Sequence, residues 1–273
     1  MNVLRWKIIR KIIAIVSLLF VFWVGHETYA LTLHDKQYFS GWALFILVAI
    51  LTTYSLRKKI SVLPLGTATS WLQFHVYLGL LSGILFFIHV DWGIPTGWFE
   101  VLLSVTFSVL FLSGLLGYYL DRTLPPLLTR RGEEVIFERI PGFMSELRKK
   151  ADNVSVECAA KTGSSTVSDH YIEHLAPFFA RPRKLLSHLR GSNRGFSNTL
   201  KELENMDRYL NDHERQYASQ LRELATKKDE LDYQYALQAT LKGWLFVHVP
   251  LTYGLVLLMT VHAILSYAFR GAM

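Results

Sequence analysis

The chain has one cysteine among 273 residues, Cys158. One thiol makes no internal disulfide, and it cannot hold an iron–sulfur cluster, which takes about four protein ligands. No CxxCH motif for covalent haem attachment occurs. No GxGxxG follows a strand-like run, and there is no GxxxxGK[ST], no HExxH and no Ser/His/Asp pattern. Nucleotide-fingerprint enzymes, zinc proteases and triad hydrolases are therefore not indicated. Cys158 is expected to be an inert loop or core thiol.

Long polar stretches are also scarce outside the middle of the chain. Hydrophobic residues make up 51% of the sequence and gather into five runs, 11–33, 40–56, 70–91, 97–119 and 243–268. Each approaches the roughly 20 residues that a membrane-crossing helix requires. The formal charge of +7 raises a nucleic-acid reading, which its placement opposes. Arg5, Lys7, Arg10 and Lys11 precede the first run, and Arg57, Lys58 and Lys59 follow the second. The stretches 34–40 and 91–97 hold only Lys36. That asymmetry predicts a multi-pass protein of the inner membrane with a cytoplasmic N-terminus, and no nucleic-acid partner. Residues 1–30 combine a basic start with an apolar core, like a secretory leader; they are expected to be retained as a membrane anchor.

The expected fold is all-α: a five-span transmembrane helix bundle with a mostly helical cytoplasmic insertion between spans 4 and 5. Residues 1–120 hold spans 1–4, 121–241 the insertion, and 242–273 span 5 with a short outer tail. The insertion opens with DRTLPPLLTRRGEEVIFERIPG, expected to be irregular and near the membrane surface. Helical patterning runs from about 143 to 190, interrupted by KTGSS at 161–165 and by Pro177 and Pro182. From Asn198 to Leu241 there is neither Gly nor Pro, and Leu203, Leu210, Tyr217, Leu224 and Leu231 recur every seventh residue. The companion column (Met206, His213, Gln220, Lys227) is mostly polar, which excludes a sustained coiled coil. One long amphipathic helix over about 198–241 is predicted, packed by a single stripe.

Two of the apolar runs carry paired histidines. His75 and His89 lie fourteen residues apart, and so do His248 and His262. Fourteen residues fall about 40° short of four helical turns, so each pair shares one face, separated by roughly 21 Å along the axis. Both ligands then lie within a hydrocarbon core of about 30 Å. The topology runs spans 3 and 5 in the same direction, which sets His75 level with His248 on the inner side and His89 level with His262 on the outer side. Two imidazoles at one depth can take both axial positions of a haem iron, so two non-covalent b haems are predicted. Gly79, Gly83 and Gly254 lie on or between the ligand levels and would give a porphyrin room; Gly114 and Gly117 stand near the inner end of span 4. Lys242 and Arg57–Lys59 inside, and Lys36 and Arg270 outside, are candidate propionate partners. A lone intramembrane histidine equally serves to hydrogen-bond a neighbouring helix, and Gly79-xxx-Gly83 alone marks close helix packing. The same spacing on two helices favours the haem reading.

The remaining histidines read more plainly. His26 beside Glu27 is an interfacial polar pair or part of a quinone or proton path. His34, His170, His174, His188 and His213 fall in loops or soluble helices; His170 and His174 have i, i+4 spacing without a further ligand set. Trp71, Trp92, Trp98 and Trp244 suit an aromatic belt.

At the four histidines the chain resembles the bis-histidine di-haem b-type membrane cytochromes, in particular the ferric-reductase and NADPH-oxidase type of transmembrane domain. There the third and fifth helices each carry two histidines about fourteen apart. The resemblance covers about 70–120 and 242–268 and implies His75, His89, His248 and His262 as axial ligands of two stacked haems. That family has six spans and a flavin- and nicotinamide-binding domain. Here five runs and an insertion of about 120 residues stand instead, so direct NAD(P)H oxidation by these residues is not expected. The expected role is an electron-relaying subunit. Its partners would be an iron–sulfur protein or flavoprotein on the cytoplasmic side and a cytochrome c on the outer side, with a quinone as a further cofactor. The alternatives are a quinol-oxidising or metal-reducing oxidoreductase, and a non-redox scaffold or signalling subunit whose histidines are structural or bind metal.

Overall fold

The computed structural model describes residues 2–31, 36–59, 67–128, 135–181 and 194–269, with only the backbone for parts of α1, for 55–59 and for 194, 195 and 199. Among the described residues there is helix and no strand. The elements are α1 (Asn2–Leu31), α2 (Lys36–Lys59), α3 (Ala68–His89), α4 (Trp98–Thr123), α5 (Pro125–Leu128), a 3-10 turn (Phe137–Arg139), α6 (Ile140–Thr162), α7 (Thr166–His170), a π turn (Tyr171–Leu175), α8 (Ala176–Ala180), α9 (Arg194–Met206) and α10 (Asp212–Ala268). Four helical segments among the described residues, Lys36–Tyr54, Ala68–His89, Trp98–Leu128 and Asp212–Ala268, are long and apolar enough to cross a membrane. The first predicted span, 11–33, falls on α1 as far as Leu31, its last two residues lying outside the described residues.

The chain divides into two compact units, Met1–Leu116 with Phe246–Met273, and Gly117–Leu245. The first unit is built on apolar helices. Leu44, Leu47 and Val48 of α2, Leu81 and Leu85 of α3, Phe107 of α4, and Leu255 and Met259 of α10 form its buried core. Phe86 stacks on Phe107 at 4.3 Å and Phe107 on Phe111 at 6.3 Å. Gly83 makes this ladder possible, because a Cβ there would stand 2.5 Å from the Phe111 ring. Large apolar side chains also face outward, Leu112 being 62% and Leu257 66% exposed. A helix apolar all round requires an apolar surrounding. Its hydroxyls are paired internally: Thr106, Ser108, Thr252 and Thr260 each donate to the carbonyl four residues earlier, at 2.8–2.9 Å, as lipid demands.

Helix α3 begins at the Thr67 cap, whose hydroxyl accepts from Ser70 N–H at 3.2 Å. It ends immediately after His89. There Asp91 and Trp92 adopt positive φ, 48° and 56°, the left-handed region that closes a helix C-terminus. Trp92 donates its N–H to Phe87 O at 3.2 Å and stacks on the Phe87 ring at 5.3 Å, which holds a conformation that non-glycine residues seldom adopt.

The second unit has a core of Leu147, Ala151, Cys158, Val167, Leu175, Phe179, Leu203, Leu221 and Ala225 with its neighbours. Leu203 and Leu210 of the heptad column are buried in it, and Tyr217, Leu224 and Leu231 pack against it. Gly163, φ 68°, caps α6 within the KTGSS segment by donating to Ala159 O at 3.1 Å. Lys228 and Asp232, 1% and 0% exposed, form a buried ion pair at 2.5 Å. A smaller cluster joins Leu120, Leu124 and Leu128 to Tyr233 and Leu237. The backbone of Val135 is clasped by two side chains one turn apart. Its N–H donates to Gln234 Oε1 and its carbonyl accepts from Gln238 Nε2, both at 2.9 Å.

Two expectations differ from what is observed. The single helix over 198–241 is broken at 207–211, where α9 ends and α10 starts. The cause is a capping box: Asn211 Oδ1 accepts from Glu214 N–H at 2.8 Å, and Glu214 Oε2 accepts from Asn211 N–H at 2.9 Å. The second of these helices then runs without interruption to Ala268 across Pro250. The opening of the insertion is also partly regular, forming α5 and the 3-10 turn. Residues 129–134 and Pro182 lie outside the described residues.

Candidate functional site

All four paired histidines are half-buried in the first unit. His89, on the last turn of α3, and His262, on α10, face one another with ring centres 6.3 Å apart and planes at 85°. His262 also stacks on Phe99 of α4, 6.4 Å between centres. The other two are His75 on α3 and His248 on α10. His75 packs against the Tyr54 ring at 5.0 Å. Its Nδ1 is buried with no hydrogen-bond partner. The apolar core lies between the levels: Leu81 and Leu85 fall between the two histidines of α3, and Leu255 and Met259 between those of α10.

Two of the rings are held by serines that sequence reasoning passed over. Ser40 Oγ of α2 is 3.1 Å from His89 Nδ1, and Ser113 Oγ of α4 is 3.1 Å from His248 Nδ1. The signal that could have found them is a Ser-Gly dipeptide at both places. The predicted glycines divide. Beside Gly79 and Gly254 an added Cβ would meet nothing within 4 Å. Gly83 instead seats Phe111, and Gly117 seats the Trp244 indole, whose ring would stand 1.9 Å from a Cβ there.

No known family model matches this chain, and no curated protein or solved structure is significantly similar to it. The reading therefore rests on the residues themselves. Among the described residues no group of three or more His, Cys, Asp and Glu could hold a metal ion.

The rim residues are engaged elsewhere or undescribed. Lys242 pairs with Glu138 and lies 4.3 Å above the Phe137 ring; Lys36 meets Glu27 at 3.4 Å. The side chains of Arg57–Lys59, and Arg270, lie outside the described residues, as do His34 and His188. His26 is 3.7 Å from Glu27 and packed between Phe22 and Phe39. His170 and His174 approach with ring centres 4.8 Å apart, and His213 is exposed. Trp92 and Trp98 are strongly exposed, Trp71 and Trp244 half-buried. Cys158 is buried, and that burial pushes its thiol up from the ordinary value.

Proposed function

We propose that this chain is a membrane di-haem cytochrome b subunit that relays electrons across the inner membrane. The carrying observation is the His89–His262 pair, with ring centres 6.3 Å apart on two different helices. Two imidazoles bound on opposite sides of one metal, each through a bond of about 2 Å, put their ring centres roughly 6 Å apart. Three further observations support the fit. The donor set this reading assigns is two imidazoles per level, which suits a porphyrin that brings its own ring of nitrogens. His75 Nδ1 is a buried polar atom without a hydrogen-bond partner. Open space stands beside Gly79 and Gly254.

In this reading α1 supplies a fifth span, the N-terminus is cytoplasmic, His75 and His248 hold the inner haem and His89 and His262 the outer one. Haem, when bound, supplies reversible one-electron chemistry at its iron. The protein supplies imidazole nitrogens at fixed depth, Ser40 and Ser113 to orient two of the rings, and the aliphatic core that keeps water from the space between. Residues 117–245 are a docking platform for a cytoplasmic iron–sulfur protein or flavoprotein, and the outer level faces a cytochrome c or a quinone.

The test is a pyridine haemochrome assay with a reduced-minus-oxidised spectrum on the detergent-purified chain. About two b haems per chain are expected. His75→Ala and His248→Ala should each lose one haem, the same one, while His89→Ala and His262→Ala lose the other. Colourless parent protein, or full bis-histidine spectra in the single variants, overturns the reading.

A further inference from the structure

The contacts of Ser40 and Ser113 repeat in a second particular. A Cβ added at Gly41 would meet His89 Cε1 at 3.0 Å, and one added at Gly114 would meet His248 Cε1 at 3.8 Å. In both places a serine hydroxyl lies on Nδ1 and the bare backbone of the next residue lies against the same edge of the ring. A third dipeptide, Ser82-Gly83, shows that the sequence alone is not the device. The Ser82 hydroxyl donates to Gly79 O at 2.7 Å, and Gly83 receives a phenyl ring instead.

The direction of the hydrogen bond follows from what a hydroxyl holds. Serine has one proton to give and two lone pairs. Ser40 Oγ lies 3.2 Å from the carbonyl oxygens of both Lys36 and Gln37, which only accept. A proton given to one of these leaves a lone pair of the oxygen for His89, and Nδ1 then carries the hydrogen. A neutral imidazole protonated on Nδ1 has its lone pair on Nε2. Ser40 is buried, where water does not compete for that proton.

We infer that Ser40-Gly41 is an imidazole dock that accepts the Nδ1–H of His89, seats the ring edge on glycine and presents Nε2 as the metal-ligating nitrogen, and that Ser113-Gly114, with the same 3.1 Å contact, does so for His248. The metal-ligating clause rests on the haem reading above; the tautomer does not. The docks serve opposite levels and different helices, His89 of α3 and His248 of α10. Each haem, when bound, would have one serine-anchored ligand, with His262 as the other on the outer side and His75 on the inner. Donating Nδ1–H makes Nε2 a stronger electron donor and fixes its aim, which favours the ferric state at that site. Both serines are positioning residues, acting through their histidines.

The experiment uses the full chain in detergent with 15N-labelled histidine rings, as parent, Ser40→Ala, Ser113→Ala and the matched control Ser82→Ala. In haem-free protein, ring-nitrogen chemical shifts should show His89 and His248 as Nδ1–H tautomers. Ser40→Ala should change the His89 signal alone, Ser113→Ala the His248 signal alone, and Ser82→Ala neither. In loaded protein, Ser40→Ala should raise one midpoint potential and Ser113→Ala the other, with bis-histidine absorbance kept. The affected haem should leave to a scavenger about 10–100-fold faster. Ser40→Thr, which keeps the hydroxyl, should restore the outer site and covers the case in which Ser40→Ala fails to accumulate. Nε2–H tautomers in the parent, or potentials and release rates unmoved by both serine variants, overturn the docks and leave the haem reading standing. Serine-dependent Nδ1–H tautomers in a chain that binds no haem keep the docks and overturn the haem reading.

Discussion

Removing the carboxylate of Asp232 tests how the second unit is held together. Lys228 is 1% exposed, donates to Asp232 Oδ2 at 2.5 Å and to the Arg181 carbonyl at 2.8 Å, and lies 4.3 Å above the Phe178 ring. In Asp232→Ala the carbonyl and ring remain, and neither neutralises a buried ammonium. Breaking one side of a buried pair costs about 3–5 kcal/mol. Replacing both partners by apolar residues, as in Lys228→Met with Asp232→Leu, is near neutral. Cys158 provides the assay, because it is the chain's single thiol and is 1% exposed in the core of the same unit. When reclosing outpaces labelling, the rate of thiol labelling tracks the open population. At tenfold per roughly 1.4 kcal/mol, Asp232→Ala should label about a hundred- to a few thousand-fold faster than the parent, and the double variant at nearly the parent rate. A single variant that labels no faster, or a double variant as labile as the single, refutes the argument.

Two more expectations concern the same unit. Burial, and then the neighbouring His174, hold His170 below its ordinary value, against smaller opposing influences from Glu202 and Glu173. A depressed folded value means the unfolded chain takes its proton first. Stability is therefore full above the unfolded value of about 6.5 and falls as pH drops from there toward the folded one. Cys158 labelling, divided by the labelling rate of the denatured chain at the same pH to remove the thiolate dependence, should quicken on that acid side, and His170→Gln should flatten the change; a parent equally stable on both sides contradicts it. Asn211→Ala removes the cap of α10 and should cost about 1 kcal/mol, read as faster amide exchange over Asp212–Arg215; protection left intact would show that Glu214 holds the turn by itself.

Legibility followed the number of independent constraints on each feature. The four apolar helices were readable because lipid requires about 20 apolar residues in a row, a pattern that survives ignorance of the packing. The histidines stood out because fourteen-residue spacing puts two costly polar groups on one face. Their serines did not, because hydroxyls such as those of Thr106 and Ser108 bond back to their own helix, and the sequence alone does not separate a satisfied serine from one turned toward a neighbour. Glycines were ambiguous for the same reason: Gly83 and Gly79 differ only in whether a ring from α4 arrives. The break at 207–211 was missed because neither Gly nor Pro marks it, although Asn211 and Glu214 have capping-box spacing.

The aliphatic middle of the first unit has an electrical consequence. From 76 to 88 on α3 and from 249 to 261 on α10 there is no Asp, Glu, Lys, Arg or His, nor from 41 to 54 on α2 or from 101 to 113 on α4. Between the two histidine levels on α3 and α10 a proton finds no carboxylate, amine or imidazole to rest on, only the phenols of Tyr77 and Tyr253. In the proposed relay an electron would cross without such a group to carry a compensating proton, and would work with or against the membrane voltage, about 2.3 kcal/mol per charge for each 100 mV over the full span. In that reading, a cell that energises the membrane would change the driving force of the proposed relay without altering either redox partner.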